Sequence, residues 1–161
     1  MATNRRLIVN IQRRGGANND ATLEAHARRV LTAMLSTRLL NTIRVTVKLR
    51  AGLSKDRIGE CQWRNLGKST AARSKHYAIV IQRDMNLRQQ LRTLTHELKH
   101  LEQMARGRLD ARTVGGVWGW YWRPGPGRAV RYETSVPWAD RPWEIEARAA
   151  EREFHGKALH G

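Results

Sequence analysis

Apolar and polar positions follow clear periods along most of the 161-residue chain. Residues 6–12 read as a short strand, with Leu7, Val9 and Ile11 alternating against Ile8 and Asn10 before a Gly15-Gly16 break. After a polar stretch, Leu23, Ala27, Val30, Leu31, Met34 and Leu35 recur at helical spacing. They predict a helix over 21–39 with Asp20 as its N-cap. Ile43, Val45, Val47 and Leu49 alternate with Arg44, Thr46, Lys48 and Arg50, the pattern of a strand with one buried and one basic face. Residues 52–76 read as a long connection with a short strand at Cys61-Gln-Trp63, and 77–82 as a strand covered on both faces. Asn86 caps the next helix, whose stripe is Leu87, Leu91, Leu94, Leu98, Leu101 and Ala105, with Gly107 as its stop. Residues 114–127 are aromatic and glycine-rich and read as an irregular strand and turn. A last helix opens near Pro142 with Trp143, Ala147, Ala150 and Phe154 as its inner stripe.

Strands interleaved with helices at this length predict one α+β domain over 1–161, with residues 1–20 a basic, flexible N-terminal stretch. The start has no apolar run long enough for a signal peptide and no later run could span a bilayer, so we expect a cytoplasmic protein with no membrane partner. Cys61 is the lone cysteine, which excludes an internal disulfide and any multi-cysteine metal cluster. Lys and Arg outnumber Asp and Glu 30 to 14, a net charge of +16 that would draw nucleic acid or another polyanion.

The second-to-last helix changes this picture, because it carries His96-Glu-Leu-Lys-His100. Two histidines at i and i+4 project from one side of a helix about one turn apart, a spacing that lets both imidazoles bind one metal ion. At about 100° per residue they lie well away from the leucine stripe, so one face of this helix packs and the other faces a cleft. Glu97 stands beside such a metal without ligating it. There it can take a proton from zinc-activated water and pass it to a leaving amine, as a general base in peptide hydrolysis.

Catalytic zinc usually has three protein ligands and one open position, so a third ligand must come from downstream. Glu144 and Glu146 open the final helix but point about 200° apart, so both cannot reach the ion. Glu146 lies slightly nearer the packing stripe and is the better ligand by a narrow margin, with Glu144 as the alternative. Tyr121, Tyr132 and His155 are candidates for stabilising an oxyanion, and the sequence does not choose among them. His26 and His76 read as surface residues. Trp118, Trp120 and Trp122 would share one face of a strand, as core, as a cleft wall, or as a stacking platform for unpaired bases beside Arg123, Arg128 and Arg131.

The stretch Thr93-Leu-Thr-His-Glu-Leu-Lys-His100, followed by Arg141-Pro-Trp-Glu-Ile-Glu-Ala147, resembles small zinc metallopeptidases of the gluzincin type, including phage-borne and ImmA/IrrE-like members. The resemblance implies a compact zincin-like domain, in which a small mixed sheet packs on the motif helix and a C-terminal helix supplies the third ligand. It further implies Zn2+ on His96, His100 and Glu146, Glu97 as base, and a protein or peptide substrate. These families commonly follow the ligand glutamate with Ala and then Asn or Asp, whereas Arg148 stands at that position here. SprT-like proteases resemble the front half more distantly, and for them His155 or His160 would be the third ligand. A competing function class is a basic nucleic-acid- or virion-associated binding protein whose zinc site is structural or degenerate.

Overall fold

The computed structural model describes residues 7–13, 18–54, 58–64, 75–132 and 135–156; Glu133, His160 and the Gly15-Gly16 break lie outside these. Two sheets and a set of helices make a compact α+β fold. The larger sheet holds β1 (Ile8–Arg13), β2 (Arg44–Arg50), β3 (Gly59–Arg64) and β4 (His76–Gln82) in the order β1-β2-β4-β3. The first three in that order are parallel, and β3 runs antiparallel to β4 along the edge, with Cys61 opposite Ile79 and Trp63 opposite Tyr77. Parallel neighbours need crossovers, and here α1 (Asp20–Met34) and α2 (Thr37–Leu40) supply the connection from β1 to β2.

The expected alternation holds in β2, where Val45, Val47 and Leu49 are buried and Arg44 and Arg50 are exposed. Residues 8–13 are an integral strand paired along their length with β2, so the notion of a flexible tail over 1–20 fails for this part. The helix expected over 21–39 is two. Leu35 is extended and Ser36 caps α2, its hydroxyl accepting from the Leu39 amide at 3.4 Å. The first helix starts at Asp20 with Asn19 at the cap position.

Helix α3 (Leu87–Ala105) follows the sequence closely. Asn86 Oδ1 accepts from the Gln89 amide and Gln89 Oε1 from the Asn86 amide, a capping box that satisfies two otherwise orphaned donors. Leu94, Leu98, Leu101, Met104 and Ala105 are buried against the sheet and α1. Within 114–127, expected as an irregular strand and turn, Val117–Trp122 is a regular strand, β6, which pairs with β5 (Leu109–Val114) in a hairpin and with β7 (Val130–Arg131) in a second, three-stranded antiparallel sheet. Gly115 and Gly116 both have positive φ, 59° and 78°, and make the tight two-residue turn whose twist suits a hairpin. Helix α4 (Pro142–Gly156) starts where expected and lies along α3, with Trp143, Ala147, Ala150 and Phe154 buried.

Candidate metal centre

Helices α3 and α4 pack side by side, and the contact places three potential ligands at one point. His96 Nε2 and His100 Nε2 are 3.1 Å apart. Each is also 3.1 Å from a different oxygen of Glu144, which is buried at the start of α4. Two atoms each about 2.0–2.1 Å from one ion, at an angle near 100°, would be separated by just over 3 Å, so these separations match those between ligand atoms that share one zinc ion. Glu144 Oε1 is also buried without a hydrogen-bond partner, an expense that a cation at the centre would remove. The His96, His100 and Glu144 group could therefore hold a metal ion.

The outer nitrogens explain why the inner ones converge. His96 Nδ1 lies 2.6 Å from Glu151 Oε1; a carboxylate only accepts, so Nδ1–H donates and Nε2 is turned inward. Arg92 Nε backs the same carboxylate at 2.5 Å from its other oxygen. Gln103 Nε2 donates to the Trp143 carbonyl at 3.1 Å and to Glu146 at 3.0 Å, which fixes the orientation of the amide. Its Oε1 then faces His100 Nδ1 at 3.0 Å, so this ring too donates outward and presents Nε2 to the centre.

Charges follow from this arrangement in the metal-free chain. Burial alone would lower the pKa of His96, but hydrogen bonds to Glu144 and Glu151 and the nearby Glu97 carboxylate outweigh it and raise it to about 10. Burial alone would raise Glu144; the imidazoles of His100 and His96 outweigh it and hold the carboxyl at about 2. Glu151 is likewise pushed up by burial but held below the usual carboxylate range by His96 and Arg92. The centre thus keeps its carboxylate ionised and gathers positive charge.

Glu97 does not join the ligand triangle. Its carboxylate projects toward β3, where a Cβ on Gly59 would sit 2.8 Å from Glu97 Oε1 and 2.5 Å from the Thr93 methyl. Only glycine lets the edge strand come this close. Burial pushes the Glu97 carboxyl above its ordinary range, opposed by His100 and His96. It is 7% exposed, and among the described residues no hydrogen bond is made to it.

Glu146, the ligand favoured by the sequence, lies elsewhere. Arg108 clamps it, with Nη2 at 2.5 Å and Nη1 at 3.1 Å, and Gln103 adds a third hydrogen bond. The opposite flank of α4 is the one that packs against the histidines and is buried, so Glu144 takes the inner place. Arg148 donates to the Ala139 carbonyl, and the carboxylate that backs a histidine is instead Glu151, two turns along α4 from Glu144. Gln103 also belongs to the centre, and its one signal in the sequence is its place on the histidine side, three residues after His100.

Of the three oxyanion candidates, His155 Nε2 accepts from Arg88 and Tyr121 lies under the Arg112 guanidinium on the face of β6 opposite the tryptophans. Tyr132 packs edge-on to Trp143, next to Glu144 in the chain. His26 is half-buried rather than a surface residue. Thr95 Oγ1 gives its proton to the Leu91 carbonyl, so His26 Nε2 must donate to it at 2.7 Å, and burial lowers the ring pKa to about 4. No helix among the described residues is long and apolar enough to cross a membrane.

No protein-family model matches the chain, nor does any curated protein or solved structure.

Proposed function

We propose that the chain is a zinc-dependent metallopeptidase with a zincin-like arrangement, His96, His100 and Glu144 holding the ion and Glu97 serving as general base. The observation that carries this reading is the 3.1 Å convergence of two imidazole nitrogens and one ionised carboxylate, with a second, unligated carboxylate one residue along the helix. Two histidines and one carboxylate form a ligand set that suits zinc and leaves one position open.

When bound, zinc supplies a Lewis acid that polarises a carbonyl and brings the pKa of water to about 7. The remaining work falls to the chain. Glu97, in a buried setting that favours its protonated form, accepts the proton of the attacking water and returns it to the leaving amine. Glu151 and Gln103 hold the imidazoles in the tautomer that presents Nε2 inward. Next to the centre, Trp63 of the edge strand lies 6.3 Å from Trp120, an apolar surface suited to a protein or peptide substrate. The lone, buried thiol of Cys61 supports a reducing compartment, the cytoplasm.

The test is proteolysis of an unbiased peptide library by the zinc-loaded protein and by Glu97→Gln. We expect cleavage by wild type, and a variant that keeps its metal but loses at least about a hundredfold in rate. Unchanged cleavage by the variant, or none by the metal-loaded wild type, would contradict the assignment.

A further inference from the structure

The second sheet carries a feature that peptide hydrolysis does not require. Along β6, Trp118, Trp120 and Trp122 share one face, and their exposure rises toward the hairpin. Trp122 is buried against Trp143, Trp120 is half-buried, and Trp118 is 54% exposed. Trp138, on the short turn before α4, is 51% exposed. Both outer indoles rest edge-on against Trp120, at centroid separations of 5.5 Å for Trp118 and 6.1 Å for Trp138. Trp120 thus braces two rings that each leave a broad surface in water.

Two half-exposed indoles side by side mark an interaction surface, and the charge of the molecule bears on what covers them. The sheet that carries them adds Arg112, Arg123, Arg128 and Arg131, of which Arg112 and Arg131 lie on the Tyr121 face, opposite the tryptophans. The guanidinium of Arg141 stacks 4.6 Å from the ring of Trp138. The molecule as a whole carries +16. A partner that offers flat apolar faces and negative charge in alternation fits this surface, and a single nucleic-acid strand is such a partner. In a duplex the base faces are stacked on one another and closed to an indole, whereas an unpaired strand exposes them.

We infer that the braced tryptophan face of the second sheet binds unpaired nucleic acid, with bases stacking on Trp118 and Trp138 and the phosphates drawn by the chain's excess of positive charge. This inference is independent of the hydrolytic reading, because neither tryptophan touches the metal centre.

The test uses the full, zinc-loaded chain and a fluorescent oligothymidylate of about 12 nucleotides, a length within the usual site sizes for such platforms. Fluorescence anisotropy should show binding that weakens as salt rises. Trp118→Ala and Trp138→Ala should each weaken it about tenfold. The same variants should bind heparin, a polyanion without bases, as wild type does, and a duplex of equal length should bind less well than the single strand. Photocrosslinking of wild type to the oligonucleotide carrying 5-iodouracil needs no variant to fold; adducts are expected at Trp118 or Trp138. No binding, equal affinity in the tryptophan variants, or adducts confined to other regions would overturn the inference. It would also fall if the variants altered peptide cleavage while leaving oligonucleotide affinity unchanged, since the face would then belong to the peptide cleft.

Discussion

At the metal centre single atoms decide the chemistry. Both imidazoles donate outward from Nδ1, to Glu151 and to Gln103, and this leaves the two Nε2 atoms and the Glu144 carboxylate aimed at one another. Three groups that all prefer a positive neighbour need a proton or a metal between them. In the metal-free chain the raised pKa of His96, about 10, keeps that ring protonated at neutral pH. The sign follows directly. A histidine raised above 6.5 adds stability to the metal-free fold below pH 6.5, and this contribution is lost as pH climbs through about 10. A metal needs the unprotonated nitrogen, so its affinity should rise with pH over that window, by about tenfold per unit at neutral pH and above. We expect about one proton to leave for each metal ion taken up at pH 7, measurable with an indicator dye in weak buffer. Uptake without proton release would mean that His96 is already neutral.

Residue-level reading of the sequence found His96, His100 and Glu97 because a helical period and a four-residue spacing are local properties. The choice between Glu144 and Glu146 is not local. The two flank the inner stripe of α4 at similar angles, and which flank meets α3 depends on how the two helices pack. No periodicity within α4 contains that information. Glu151 does not separate them either, since Glu146 has its own acid two turns along, Glu153.

At the scale of elements, α3 and β3 meet at the tightest approach around the site. Gly59 lets the edge strand pass against Thr93 and Glu97, with no room for a side chain. Gly59→Ala should therefore push β3 away or displace the Glu97 carboxylate. We expect a loss of about 1–3 kcal/mol in denaturant unfolding and a fall in any hydrolytic rate, with metal content unchanged, because none of the ligands touches Gly59. Wild-type stability and rate in this variant would show that the strand is free to move.

Elements with strong periods were legible in advance, α3 and β2 above all. Of the second sheet only β6 was, as an irregular strand with its tryptophans on one face. Leu109-Asp-Ala-Arg-Thr-Val114 lacks a clean alternation of apolar and polar residues, since Leu109, Asp110 and Ala111 are all buried. The glycines that seemed to mark irregular chain, Gly115 and Gly116, are the turn of a regular hairpin. Similarly, the apolar period of the first helix runs past Leu35, where the backbone breaks, because Leu40 is buried in the same core from the separate helix α2.

For the whole molecule, the centre joins the middle of the chain to its last helix. His96 and His100 lie on α3 and Glu144 on α4, so a bound ion would pin two helices that are also tied by packing, the Arg92–Glu151 ion pair and hydrogen bonds of Gln103, of His96 to Glu151 and of Arg88 to His155. Ligand that binds only the folded chain raises its stability by mass action, about 4 kcal/mol at a thousandfold excess over the dissociation constant. Chelation should accordingly lower the melting temperature by several degrees, and readdition of zinc should restore it. An unchanged melting curve would mean that no ion links the helices.

The placement of Glu144 rather than Glu146 at the centre is tested most directly by the metal content of two variants purified in parallel. With wild type holding about one zinc per chain, we expect Glu144→Ala to lose the ion and Glu146→Ala to retain it, at most with lower stability from the freed Arg108. Full zinc in Glu144→Ala, or its loss from Glu146→Ala alone, would contradict the centre described here.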